Sequence, residues 1–187
     1  MPVHTGRLLL CTQNPYLLPE RSRLTMALSA AGFLGAPLEG LMDAYAVGER
    51  FLQLITFAGC SVRIELSPDG DSPFCHVRYA GPFDQPHILI GHNTRAPRCR
   101  SCRSPLQGWR EDLAQWRRDR TMDIPCPACS ESRPPWAYDW REKAGFGRFF
   151  IQIEEVFPGE ASPTPELTKL LEFTADSQWS HFYVQDA

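Results

Sequence analysis

Four cysteines stand in two tight pairs, Cys99-x-x-Cys102 and Cys126-x-x-Cys129, separated by 23 residues. A two-residue gap lets a short turn aim both sulfurs at one ion. Two such turns complete a tetrahedral thiolate site for zinc. Four protein ligands leave no position open for water or substrate, so the spacing predicts one structural zinc and says little about an activity. His92 is a nearby substitute ligand, but a loop histidine bonded to backbone is the preferred reading because the cysteines already complete the tetrahedron. The chain has seven cysteines, with Cys11, Cys60 and Cys75 scattered. An odd number without a secretory leader argues against a disulfide framework.

Positive charge gathers around the same residues. From Arg95 to Arg120 there are eight arginines against Glu111, Asp112 and Asp119, a local balance of +5 in a chain of net charge −3. Arg98, Arg100, Arg103, Arg110, Arg117 and Arg118 are candidate contacts to phosphates or to an acidic protein. Trp109 and Trp116 are candidate stacking residues for bases. The competing reading is that the tryptophans pack the cysteine segment onto the rest of the protein and the arginines form a solvated face. An acidic whole chain argues against a general nucleic-acid binder, so a protein partner is favoured slightly and both are kept.

Cys60, Cys75, His76, His87, His92 and His181 are the material for Cys/His catalysis. Gly59-Cys60-Ser61 lies at an expected strand end, which makes Cys60 the nucleophile candidate, with a small buried turn residue as the alternative. No phosphate-binding loop is present, and Gly145-Phe146-Gly147 is too short for a dinucleotide fingerprint. A small-molecule substrate is not indicated. A small hydrolase or transferase with a structural zinc is the second reading after a non-enzymatic interaction protein.

The elements that must position these residues follow from periodicity. Arg7–Thr12 reads as a strand, and Glu20–Gly32 as a helix with Leu24, Leu28 and Ala31 on one face and Gly32 as its stop. Pro37–Val47 has helical spacing at Leu38, Leu41, Met42 and Tyr45. Phe51–Phe57, Val62–Leu66, Cys75–Tyr79 and Ile88–Ile90 read as strands, with turns at Gly59–Ser61 and Pro68–Asp71. Gly108–Arg120 reads as a helix, with Trp109, Leu113 and Trp116 on one face. Arg148–Phe157 and Trp179–Val184 read as strands around a helix starting at Thr164-Pro165. The order suggests an α+β fold, ferredoxin-like or a related antiparallel sheet with helices on one face. Residues 1–93 and 141–187 would form one domain, with 94–140 an inserted zinc module.

Cys126-Pro127-Ala128-Cys129-Ser130 resembles the knuckles of zinc ribbons and related four-cysteine modules, over residues 95–133 only. The first pair departs from that pattern at Arg103, where glycine is usual. The helical look of Gly108–Arg120 departs from it too, because ribbons carry strand there; a treble-clef-like variant would accommodate a helix. The resemblance implies a structural metal and a docking surface for nucleic acid or protein. At 43% hydrophobic and 22% charged, the chain has the composition of a soluble globular protein. It contains no apolar run near the 20 or so residues of a membrane span, so a cytoplasmic, membrane-free protein is expected.

Overall fold

Alternation along β1 sends Leu8 and Leu10 to one side of a sheet and Leu9 and Cys11 to the other, and all four are buried. A strand covered on both faces needs layers on both sides of it. The computed structural model, which describes residues 6–58, 64–67 and 72–185, supplies them. In chain order its first half contains β1 (Arg7–Thr12), α1 (Arg21–Ala30), β2 (Leu34–Pro37), β3 (Ala44–Val47), α2 (Phe51–Leu54), β4 (Ile55–Phe57), β5 (Val77–Ala80) and β6 (His87–Ile90). The second half contains α3 (Trp109–Arg118), β7 (Ile124–Pro125), β8 (Ser132–Arg133), β9 (Ala144–Gly147), β10 (Phe150–Glu154), β11 (Ala161–Pro163), α4 (Pro165–Ala175) and β12 (Trp179–Val184).

The result is a mixed α+β fold. Six strands form one antiparallel sheet in the order β12-β1-β10-β5-β3-β2. On one face, Leu8, Leu10, Ile151, Ile153 and Val77 pack with Leu24 and Leu28 of α1 and Leu167 and Leu171 of α4. Local chemistry starts and stops these helices where the sequence predicts. The Glu20 carboxylate accepts from the Ser22 and Arg23 amides at the start of α1, and Gly32, at φ 74°, ends it. Thr164 caps α4 by accepting from the Leu167 amide at 3.3 Å, ahead of Pro165.

The opposite face, built from Leu9, Cys11, Phe150, Phe182 and Val184, is covered by a two-stranded ribbon of β6 and β9. Leu89 faces this core, while Ile88, Ala144 and Phe146 face away into a second core shared with the cysteine segment. Cys99, Leu106, Trp109, Leu113, Trp116, Ile124, Cys126, Tyr138 and Trp140 complete that second core. The segment leaves through β6 and returns through β9, so its two ends lie side by side. The buried Thr94 hydroxyl ties them, donating to the Lys143 carbonyl at 2.6 Å and accepting from the Gly91 amide at 2.9 Å.

Three expectations change. Residues 37–47 form the β2–β3 hairpin, not a helix; Gly40 and Asp43 turn the chain at positive φ, and Leu41 and Met42 are exposed at the tip. Their helical spacing loses to the pairing of β3 with β5. Residues 51–57 begin as the single helical turn α2 before β4, with Leu52 exposed. Val62 and Arg63 lie outside the described residues and Ile64–Leu66 carry no strand; the two turns at 59–61 and 68–71 lie outside the described residues. No helix among the described residues is long and apolar enough to cross a membrane.

The ribbon sits close enough to the sheet that only glycine fits at position 145. A Cβ there would lie 2.1 Å from Phe182 Cε1. Gly145→Ala is therefore expected to cost about 1–3 kcal/mol, as overpacking does, outweighing the ~0.4–1 kcal/mol from a stiffer unfolded chain. Urea unfolding followed by circular dichroism checks this; an unchanged midpoint would disprove the contact.

Candidate metal centre

Both cysteine pairs fold into the same turn. In the first, the Cys99 amide donates to the Ser104 carbonyl at 2.9 Å and the Arg103 amide to the Cys99 carbonyl at 2.8 Å. In the second, the Cys126 amide donates to the Glu131 carbonyl at 2.9 Å and the Ser130 amide to the Cys126 carbonyl at 2.8 Å. Arg103 and Ser130, at equivalent positions, both adopt φ 62°. That is the left-handed region, which explains why glycine is usual there and why other residues are strained.

Each turn is held from outside. Arg98 exchanges two backbone hydrogen bonds with Asp139, both 2.9 Å, so the first turn is fixed to the returning chain. The second is flanked by the short β7–β8 pair, and the Tyr138 hydroxyl donates to the Ile124 carbonyl at 2.6 Å. Between the turns, α3 buries Trp109, Leu113 and Trp116, as its spacing predicts. The Arg110 and Arg120 guanidiniums lie 4.2 and 4.1 Å from the centroids of Trp109 and Trp116. Glu111 and Asp112 in the first turn and Arg117 and Arg118 in the last complement the helix dipole.

The four sulfurs then meet. Cys99 Sγ lies 3.8 Å from Cys129 Sγ, Cys102 Sγ lies 3.6 Å from Cys126 Sγ, and all four are within 4.8 Å of one another. A tetrahedron with metal–sulfur bonds of about 2.3 Å has edges of about 3.8 Å. Disulfides need about 2.05 Å, and all four cysteines are free. Cys99 and Cys126 are buried against Tyr138 and Trp140, whereas Cys102 and Cys129 are exposed. The group can hold one metal ion just below the surface. His92 is not in it; its amide is committed to the Gln185 carbonyl at the sheet edge.

Backbone and hydroxyl donors favour thiolates here. The Ser104 amide and hydroxyl lower Cys102 to about 6, and the Cys102 amide lowers Cys99. At Cys129 the Glu131 amide favours the thiolate, but desolvation and the three neighbouring sulfurs outweigh it and push the thiol up to about 12. A divalent cation held by the four sulfurs would supply the positive charge needed for all four to ionise together.

The candidate contact residues divide. Arg98, Arg100, Arg103, Arg110, Arg117 and Arg118 are exposed, and Trp109 and Trp116 are buried in the second core. Arg98, Arg100 and Arg103 have no ion pair among the described residues, and with Cys99 and Asp139 they line a concavity of about 620 Å³. A neighbouring cleft of about 730 Å³ opens between the cysteine segment and the ends of β1 and β12. It shares Arg100 and Asp139 with the first and adds Arg141, which the arginine pattern did not single out because it lies outside the dense run.

The material for Cys/His catalysis is scattered. Cys60 lies outside the described residues. Burial pushes the Cys11 and Cys75 thiols up to about 12, away from nucleophilic character. His87 stacks on Phe83 at 4.4 Å, His76 Nδ1 lies 2.9 Å from the Phe74 carbonyl oxygen, and His181 sits 4.0 Å from Glu142. Among the described residues no cysteine hydrogen-bonds a histidine.

Two outcomes are expected. Ser130→Gly should raise stability by up to about 1 kcal/mol, because it removes left-handed strain worth about 1–2 kcal/mol and adds some backbone entropy to the unfolded chain; thermal unfolding reads the difference, and a loss would contradict the φ assignment. Cys126→Ser, at a candidate ligand only 1% exposed, should abolish metal retention in elemental analysis and collapse the near-ultraviolet dichroism of the tryptophans. Full retention would remove Cys126 from the centre. No family model matches the chain, and neither does any curated protein or solved structure.

Proposed function

We propose that the chain is a zinc-stapled interaction protein whose arginine-bearing segment docks onto an acidic protein partner. The observation that carries this reading is the coincidence of a closed four-sulfur centre with Arg98, Arg100 and Arg103, exposed beside it and without ion pairs among the described residues. A soft, tetrahedral, all-thiolate set suits zinc. Four protein ligands suit a structural ion, which stabilises a segment whose own core is small. Residues 94–140 then act as an inserted module on an α+β body. The order β12-β1-β10-β5, with α1 after the first of these strands in the chain and α4 before the last, supports reading that body as ferredoxin-like.

Burial of Trp109 and Trp116 weighs against single-stranded nucleic acid, because stacking needs an open ring face. In this reading the two tryptophans hold α3 in place, and Arg98, Arg100 and Arg103, off the helix, make the contact. Free thiols at Cys11 and Cys75 fit a reducing compartment such as the cytoplasm.

Two measurements test the proposal. Metal analysis should return about one zinc per chain, from the four-ligand count; a coloured iron-bound protein or a folded metal-free one would overturn the cofactor. Purified from its native cells at low salt, the protein should bring down one identifiable acidic protein in fixed ratio. Recovery of the chain alone, or salt-sensitive binding of mixed RNA or DNA at micromolar protein, would overturn the partner class.

A further inference from the structure

We infer that the two adjoining concavities form one trough that takes an extended acidic peptide segment of the partner, with an apolar side chain seated at the sheet end. This rests on the docking reading above and specifies what docks. Arg100 and Asp139 line both hollows, so the two adjoin at that pair. Each end alone, at about 620 and about 730 Å³, has the size of a small-molecule pocket. Together they exceed the upper end of that range, about 1,000 Å³, which suits an extended chain.

The ends differ in chemistry. At the metal end, Arg98, Arg100 and Arg103 present three guanidiniums with no ion pair among the described residues, while the Asp139 carboxylate already accepts from the Arg141 amide at 2.9 Å. Guanidinium forks of this kind suit carboxylates. At the sheet end, Trp136, Trp140 and Phe146 contribute an aromatic wall. Trp140 and Phe146 are nearly buried and Trp136 packs at right angles to Tyr16 at 5.4 Å, so the wall offers ring edges for an apolar side chain to rest against rather than an open face on which a base could stack.

The rim of the sheet end is held in an unusual shape. Arg141 and Glu142 are successive residues at φ 50° and 55°, a conformation rare for two side-chain-bearing residues in a row. The Glu142 carbonyl accepts from the Tyr183 amide at 2.8 Å and the Arg141 guanidinium donates to the Ala96 carbonyl at 3.2 Å, fixing the rim to β12 on one side and to the cysteine segment on the other. The carboxylates of Asp139 and Glu142 in the trough repel either kind of anionic ligand, but they can accept hydrogen bonds from backbone N–H groups, which a peptide has and a phosphodiester backbone lacks. That contrast favours peptide over nucleic acid.

Fluorescence anisotropy with the full chain tests the inference. The probes are a fluorescein-labelled decapeptide of Glu and Asp with one central Phe, the same peptide with Ser for Phe, and an oligothymidylate of equal charge. The Phe peptide should bind, and replacing Phe by Ser should weaken it about tenfold or more, as expected for losing a buried aromatic side chain. Arg100→Glu should remove binding. Ser180→Phe, at an exposed position on β12 lining the sheet end, should block the Phe-dependent part alone. Paired Arg117→Ala and Arg118→Ala changes on α3 should leave peptide binding unchanged. Metal content and circular dichroism confirm that each variant folds. Equal binding of the two peptides, tighter binding of the oligothymidylate, or no effect of Arg100→Glu would each overturn the trough. If the partner still co-purifies with Arg100→Glu but not with the α3 variant, the docking reading stands and the trough falls. Loss of all partner capture by the unaltered chain would remove both.

Discussion

The β6–β9 ribbon is the contact on which the arrangement depends. One side of it closes the core under the six-stranded sheet, and the other side closes the core under the four-cysteine cluster. A two-stranded ribbon is marginal alone in water. Here it is buried on both faces, and each core stabilises the other through it. Gly145 permits the approach on the sheet side, and Phe146, in direct ring contact with Trp116 and Trp140, anchors the other. The sulfurs are therefore positioned by the same packing that completes the sheet. The position of the arginines follows from the position of the sulfurs.

That dependence explains how two unlike sequences make equal turns. Cys99-Arg100-Ser101-Cys102 and Cys126-Pro127-Ala128-Cys129 share their hydrogen-bond pattern and the φ of the residue after the second cysteine. The backbone sets the metal geometry, so the intervening residues are left free. In the second turn they are proline and alanine, which stiffen it. In the first they include Arg100, directed toward the trough.

Much of this was legible in the sequence. Thr164-Pro165 and Gly32 carried the helix ends because caps and left-handed stops act over a few residues. Arg7–Thr12 and Arg148–Phe157 read as strands and supply the central β1 and β10, whereas the nearly continuous apolar run Phe51–Phe57, which suggests a buried central strand, begins as a helical turn and gives only the short β4 outside the main sheet. The cysteine spacing carried the metal group for the same local reason. Residues 37–47 misled because Leu38, Leu41, Met42 and Tyr45 match a helical face, while the pairing of β3 with β5 that overrides it is a long-range contact. Ala144–Gly147 concealed a strand because its glycines carry no side-chain signal; their value lies in the close approach of Phe182, visible only in three dimensions. The trough was hidden likewise, since Arg100, Asp139 and His181 are brought together by the fold.

Arg103 brings these threads together. Its position strains any residue with a side chain, by about 1–2 kcal/mol, and glycine would relieve that strain. No ion pair among the described residues offsets it: the side chain lies open beside Arg98 and Arg100 in the concavity next to Cys99. Three like charges so close also repel one another, more strongly at low salt. A solvated surface would ease that repulsion by spreading the charges apart, and a folding role would supply a partner. An acidic ligand does what neither does: it neutralises charges whose repulsion is present in the free chain, and relief of that repulsion adds to affinity on binding.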